Sequence, residues 1–73
     1  MAPITQFKIE LEQEADGRWI GGVPALPGVM AYGDTKAAAL AGVQALALRA
    51  MADRLEHQEA VPEELLNVSF IAA

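Results

Sequence analysis

The sequence predicts an α+β protein with the element order β-β-β-α-β, in which one long helix packs on one face of a four-stranded sheet. Three observations lead to this prediction. The first segment alternates strictly between apolar and polar residues, closely spaced glycines and prolines then indicate tight turns, and a long alanine-rich run without proline follows. A chain of 73 residues has room for one domain, and we assign residues 1–73 to it.

The first strand is predicted from Thr5 to Glu14 and is half-buried, because its two faces differ in polarity. The apolar face carries Phe7, Ile9 and Leu11, and the polar face carries Lys8, Glu10, Glu12 and Glu14. Asp16 and Gly17 are suited to the positive φ angles of a tight turn, and the apolar pattern resumes at Trp19. We therefore expect a hairpin whose second strand runs from about residue 18 to 23.

Two prolines and a glycine predict a rigid corner after the second strand. Pro24 and Pro27 lack backbone donors, and Gly28 after Pro27 permits a type II turn, so the segment Pro24-Ala25-Leu26-Pro27-Gly28 should reverse the chain. A short third strand is expected at residues 29–32. Gly33, Asp34 and Thr35 then indicate a break, with Asp34 or Thr35 as the cap of a helix.

The helix is predicted from Lys36 to about His57 and has two apolar faces. The inner face carries Leu40, Val43, Leu46, Ala47, Ala50 and Met51. The outer face carries a second apolar stripe, Ala41, Ala45, Leu48, Ala52 and Leu55, where charged residues are usual. This outer stripe is a candidate interface for a homo-oligomer, a dimer or a tetramer, although alanine is also a strong helix former on solvated faces.

A polar connection at residues 59–64 leads to a predicted fourth strand from Leu65 to Ile71, with Leu66, Val68 and Phe70 alternating against Asn67 and Ser69. A strand that follows a helical crossover normally returns parallel to the sheet. The helix then covers one face of the sheet and leaves the other open.

Composition excludes several classes of function. The net charge is −5 and the five basic residues are scattered, so general nucleic-acid binding is not expected. The chain has no cysteine, which indicates a reducing compartment and a cytoplasmic location, and no apolar run has the length of a membrane span. A hydrophobic share of 53% exceeds what one small core consumes, so we expect some apolar surface to meet a second chain.

The segment from Asp16 to Thr35 resembles the HicB-like antitoxin family of bacterial toxin-antitoxin systems. The recurring features are an acidic residue and glycine in a turn, an aromatic residue in a strand, a Pro-x-Leu-Pro-Gly corner, and Gly-Asp-Thr before an alanine-rich helix. In this sequence they are Asp16-Gly17, Trp19, Pro24-Ala25-Leu26-Pro27-Gly28 and Gly33-Asp34-Thr35. The resemblance implies a pared-down ribonuclease H-like fold.

The resemblance also implies a partner, a small HicA-type ribonuclease toxin with a basic RNA-binding surface. Glu10, Glu12 and Glu14 are the candidate residues for binding such a toxin. Ala25, Val29 and Ala38 stand where family members commonly carry an acidic residue, a cysteine and a glutamate. Many members append a DNA-binding segment that this sequence lacks, so we expect no direct DNA binding.

No set of residues suited to catalysis occurs in the sequence. Glu10 and Glu12 are not accompanied by the further carboxylates that two-metal hydrolysis needs, and His57 is the only histidine. We therefore expect neither an enzyme nor a metal or cofactor site. Two functions remain: an antitoxin that masks a toxin, or a solitary oligomeric protein of the same fold with a structural or ligand-binding role.

Overall fold

The computed structural model describes residues 5–59 and 67–72 and confirms the predicted α+β class and element order. The elements are β1 (Thr5–Gln13), β2 (Trp19–Gly22), β3 (Met30–Gly33), α1 (Lys36–Glu56) and β4 (Val68–Ala72). The four strands form one mixed sheet in the order β3-β2-β1-β4. β4 pairs parallel with β1, as predicted, and the other neighbours are antiparallel.

The core lies between α1 and one face of the sheet. Ile9 in β1 and Val43 in α1 are fully buried, and Phe7 packs against Phe70 of β4 with ring centroids 6.0 Å apart. The loop between β2 and β3 completes this core with Val23, Leu26 and Val29. Burial of these apolar side chains is the main favourable contribution to folding.

Both predicted turns have the geometry that their glycines indicate. In the β1–β2 hairpin the Glu14 amide donates to the Arg18 carbonyl over 2.7 Å, and Gly17 has a φ of 93°, whereas the φ of Asp16 is not positive. In the corner, the Val29 amide donates to the Leu26 carbonyl over 3.1 Å across Pro27 and Gly28, whose φ is 83°. Proline followed by a glycine of positive φ is the type II turn that the sequence predicts.

The bounds of the short strands differ from the predictions. β1 ends at Gln13, β2 covers only Trp19–Gly22, and β3 is shifted by one residue to Met30–Gly33. Gly33 is thus the last residue of a strand rather than a break, and its φ is not positive. A side chain at Gly33 would overlap the backbone of Ala38 and Ala39, so glycine is needed there because α1 passes close to β3.

Thr35, and not Asp34, caps α1. The Ala38 amide donates to the Thr35 Oγ1 over 3.0 Å, which satisfies one of the free donors at the helix start. The helix ends at Glu56 with His57 as its C-cap. Its buried residues recur every four positions, at Ala39, Val43, Ala47 and Met51.

The predicted inner face is correct except that it omits Ala39, while Leu40, Leu46 and Ala50 are only half-buried. The predicted connection falls mostly outside the described residues, as do Leu65 and Leu66 at the start of the predicted fourth strand. No helix in the described segments has the length and apolar character needed to cross a membrane.

Candidate interaction surface

The pairing register shows which side chains occupy the sheet face that α1 does not cover. Two cross-strand rows point away from the helix, Glu10–Gly22–Met30 and Glu12–Ile20–Tyr32. The single row between them, Leu11–Gly21–Ala31, faces α1, because a side chain added at Gly21 would meet Leu11 and Val43 at 3.1 Å. Lys8 and Ile71 are paired on the uncovered side of the β1–β4 ladder. We call this surface the open face.

The open face combines carboxylates with exposed apolar side chains. Met30, Tyr32 and Ile71 are 59%, 56% and 50% exposed, although large apolar residues usually avoid water. Glu10 and Glu12 are exposed between them, and within the described segments neither carboxylate has an ion-pair partner. The face therefore offers apolar contact area together with two carboxylates that form no ion pair within the described segments, and Lys8 lies on the same face.

The three predicted partner-binding acids are not equivalent. Glu10 and Glu12 lie side by side on the open face, as the alternation predicts. Glu14 lies just beyond β1, where it is exposed and its amide closes the hairpin. Only the first two acids therefore belong to the sheet surface itself.

The hairpin end of the open face is locally neutralised by Asp16 and Arg18. The backbone amide of Arg18 donates to the Asp16 Oδ1 over 3.0 Å. The side-chain Nε of Arg18 donates to the Asp16 Oδ2 over 2.9 Å. The backbone N–H and then the guanidinium of Arg18 lower the pKa of Asp16, while the Asp16 carboxylate raises the pKa of Arg18. The guanidinium carbon also lies 4.8 Å from the Tyr32 ring centroid. Arg18 is thus held within the hairpin rather than beside Glu10.

A shallow pocket lies at the end of the open face away from the β1–β2 hairpin. Residues of β1, β2 and β3 form one side of it, and the proline corner forms the other. It has a volume of about 230 Å³. Its lining includes Glu10, Gly22, Pro24, Pro27, Val29 and Met30. We call it the corner pocket. Among the described residues that line it, Glu10 is the only one with an ionisable side chain.

The outer side of α1 is a second uncovered apolar surface. All five residues of the predicted stripe are exposed, with Leu48 and Leu55 at 54% and 38%. The stripe is Ala41, Ala45, Leu48, Ala52 and Leu55. Within the described part of the chain these side chains face solvent.

The histidine at the end of α1 interacts with the helix itself. His57 Nδ1 lies 2.8 Å from the Asp53 carbonyl oxygen, to which it donates, and 3.3 Å from the Asp53 carboxylate. The carbonyl and then the carboxylate raise the pKa of His57 above its usual 6.5. Across residues 5–59 and 67–72, no group of three or more His, Cys, Asp or Glu side chains is arranged to hold a metal ion.

No family model, curated protein or solved structure matches this chain. A functional proposal therefore depends on the two uncovered surfaces, the open face and the outer stripe.

The sequence pattern predicts the acids of the open face but not its apolar residues or the corner pocket. Met30 and Tyr32 are two positions apart in β3, a spacing that places both on one side of a strand. Four residues are too few for this alternation to stand out. Gly22 contributes to the pocket, but a glycine inside a short strand does not by itself indicate one.

Proposed function

We propose that this protein is a non-catalytic, HicB-like antitoxin that binds and masks a small basic ribonuclease toxin of the HicA type. One observation carries the proposal: the open face presents Glu10 and Glu12, unpaired within the described residues, beside exposed Met30 and Tyr32. A basic partner would gain apolar contact area and charge complementarity from the same surface.

The fold supports this proposal beside the resemblance of the motifs. The Pro24–Gly28 corner and the Thr35 cap form the turns that the family pattern implies, and they hold β2, β3 and α1 in place. None of these residues is chemically reactive, so the role of the motif is to build the fold and not to carry out a reaction. Masking would then be steric and electrostatic, with the open face covering the RNA-binding surface of the toxin.

Co-expression with the product of a neighbouring reading frame tests the proposal. We expect a small basic protein encoded beside this gene to co-purify with the chain and to lose its ribonuclease activity in the complex. Glu12→Lys should weaken the complex about tenfold, because a charge reversal replaces attraction with repulsion. Glu59→Lys changes the same charge at an exposed residue after α1 and is the matched control.

Two outcomes would contradict the proposal. One is a gene neighbourhood that encodes no small basic protein. The other is a complex that tolerates Glu12→Lys as well as it tolerates Glu59→Lys.

The outer stripe favours a second candidate, a solitary homo-oligomer of this fold with a structural or ligand-binding role. Its five residues leave an uncharged apolar strip along the exposed side of α1, which two copies could bury against each other. Ala45→Glu and Ala52→Glu should then reduce the mass in solution to that of a monomer. Ala25→Glu, at an exposed residue of the corner, is the control. A wild-type mass for both stripe variants would exclude the helix as the interface.

A further inference from the structure

We propose that the corner pocket receives a lysine or arginine side chain of the partner protein. This inference depends on the proposed function, because it assumes that the open face binds a basic protein. It adds the contact that would anchor the partner on that face.

The fold does not explain why residue 22 is glycine. Its φ is not positive, and a side-chain carbon there would lie 3.6 Å from the Met30 Cγ and 3.7 Å from the Val29 carbonyl oxygen, both ordinary contacts. Glycine inside a strand is less favourable than a residue with a side chain. At neighbouring Gly21 the same carbon would press on Leu11 and Val43 at 3.1 Å. A side chain at Gly21 would therefore force its neighbours to shift, whereas Gly22 leaves space open between Glu10 and Met30.

The walls of that space match a long side chain with an apolar stem and a cationic end. Pro27, Val29 and Met30 provide apolar surface along the pocket, and Glu10 provides a carboxylate. Lysine and arginine bury their methylene groups against apolar surface while their charge meets an acid or water. A neutral apolar side chain would leave the Glu10 carboxylate without a partner.

The occupant is assigned to a different protein rather than to a second copy of this chain. The chain has a net charge of −5, so two copies repel each other at long range. Two of its few cationic side chains are already engaged: Arg18 binds Asp16, and the Lys36 ammonium lies 5.6 Å from the Trp19 ring centroid. A basic partner brings the charge that the pocket lacks.

Titration of the ¹⁵N-labelled chain with N-acetyl-arginine amide tests the pocket without any partner protein. We expect saturable shifts of the Gly22, Gly28 and Met30 amide signals. The neutral isostere N-acetyl-citrulline amide should bind about fivefold more weakly, the scale of an exposed ion pair, and 0.5 M salt should remove most of this difference. Equal binding of the two probes, or no shift with either, would overturn the assignment.

Two variants locate the binding within the pocket. Glu10→Gln should abolish the preference for arginine over citrulline, and Gly22→Val should prevent binding of both probes by filling the space beside Met30. Glu12→Gln removes the same charge one row away, outside the pocket lining, and should bind like the wild type. Circular dichroism checks that each variant is folded. An equal effect of Glu10→Gln and Glu12→Gln, or wild-type binding by Gly22→Val, would contradict the proposal.

Failure of the proposed function gives a different result from failure of the pocket. If the arginine probe binds as expected but no basic protein is captured, the pocket inference stands for a cationic side chain and the antitoxin proposal is wrong. If a toxin is captured with equal affinity by the wild type and by Glu10→Gln, the antitoxin proposal stands and the pocket inference is wrong.

Discussion

At the scale of single residues, the three glycines of β2 and β3 differ in what surrounds the missing side chain. A carbon at Gly33 would overlap the backbone at the start of α1, and one at Gly21 would press on two side chains. The same carbon at Gly22 would make only ordinary contacts. The need for glycine is therefore strongest at Gly33, weaker at Gly21, and absent on steric grounds at Gly22.

Gly33→Ala should destabilise the protein by about 3 kcal/mol, because α1 would have to move away from β3 and backbone atoms cannot yield as a flexible side chain can. Urea unfolding followed by circular dichroism measures the effect. Gly22→Ala, in the neighbouring strand, is the control and should lie within about 0.5 kcal/mol of the wild type or above it. Equal losses in the two variants would show that β3 and α1 do not approach as described.

His57 should titrate above 6.5, because its protonated ring is stabilised by the Asp53 carbonyl and carboxylate. The resulting stabilisation is fully present below pH 6.5 and is lost as the pH rises through the folded-state pKa. NMR titration of the ring protons measures this pKa. Asp53→Asn should lower it only part of the way to 6.5, since the carbonyl remains, while Glu56→Gln should leave it unchanged. A His57 pKa that is insensitive to Asp53→Asn would contradict the contact.

At the scale of elements, the start of α1 depends on Thr35. Its hydroxyl accepts from the Ala38 amide, whereas among the described residues the Asp34 side chain accepts no hydrogen bond from an amide of the first helical turn. Thr35→Ala should cost about 1 kcal/mol of stability in urea unfolding, the usual value for a lost cap. Asp34→Ala should cost much less, and a reversed order would mean that Asp34 is the cap.

The turns and the helix could be predicted from the sequence because local chemistry decides them. Proline and glycine at positions 27 and 28 restrict the backbone to a type II turn whatever surrounds them. Gly33 was misinterpreted as a break because its requirement is tertiary and appears only when α1 crosses β3. Ala39 was missed for a similar reason: alanines occur all around this helix, so composition alone cannot tell the buried ones from the exposed ones.

The acids of the open face were predictable and its pocket was not. Glu10 and Glu12 alternate with apolar residues along a nine-residue strand, which reveals their side directly. The corner pocket depends on the row that aligns Glu10, Gly22 and Met30 across three strands. The two turns between these strands differ in length, so the residues that align are known only once the sheet has assembled.

At the scale of the whole molecule, a 73-residue chain buries a modest share of its surface and gains much from any further apolar contact. If the outer stripe joins two copies, the melting temperature should rise with protein concentration, because association stabilises the folded state. Calorimetry over a hundredfold range of concentration measures this. Ala45→Glu should remove the dependence and Ala25→Glu should retain it. A melting temperature that is independent of concentration in the wild type would argue for a monomer.

The parallel pairing of β4 with β1 has a consequence for the order of folding. Thr5 pairs with Val68, so this contact joins nearly the two ends of the described chain, whereas β1, β2 and β3 are joined by short turns. Closing so long a loop costs more entropy, and we expect the β1–β4 ladder to form last. Until it forms, the half of β1 from Thr5 to Ile9 is an unpaired strand edge, the kind of edge at which partly folded chains join one another. The more slowly the β1–β4 ladder closes, the longer this edge stays exposed and the more the protein should aggregate during refolding.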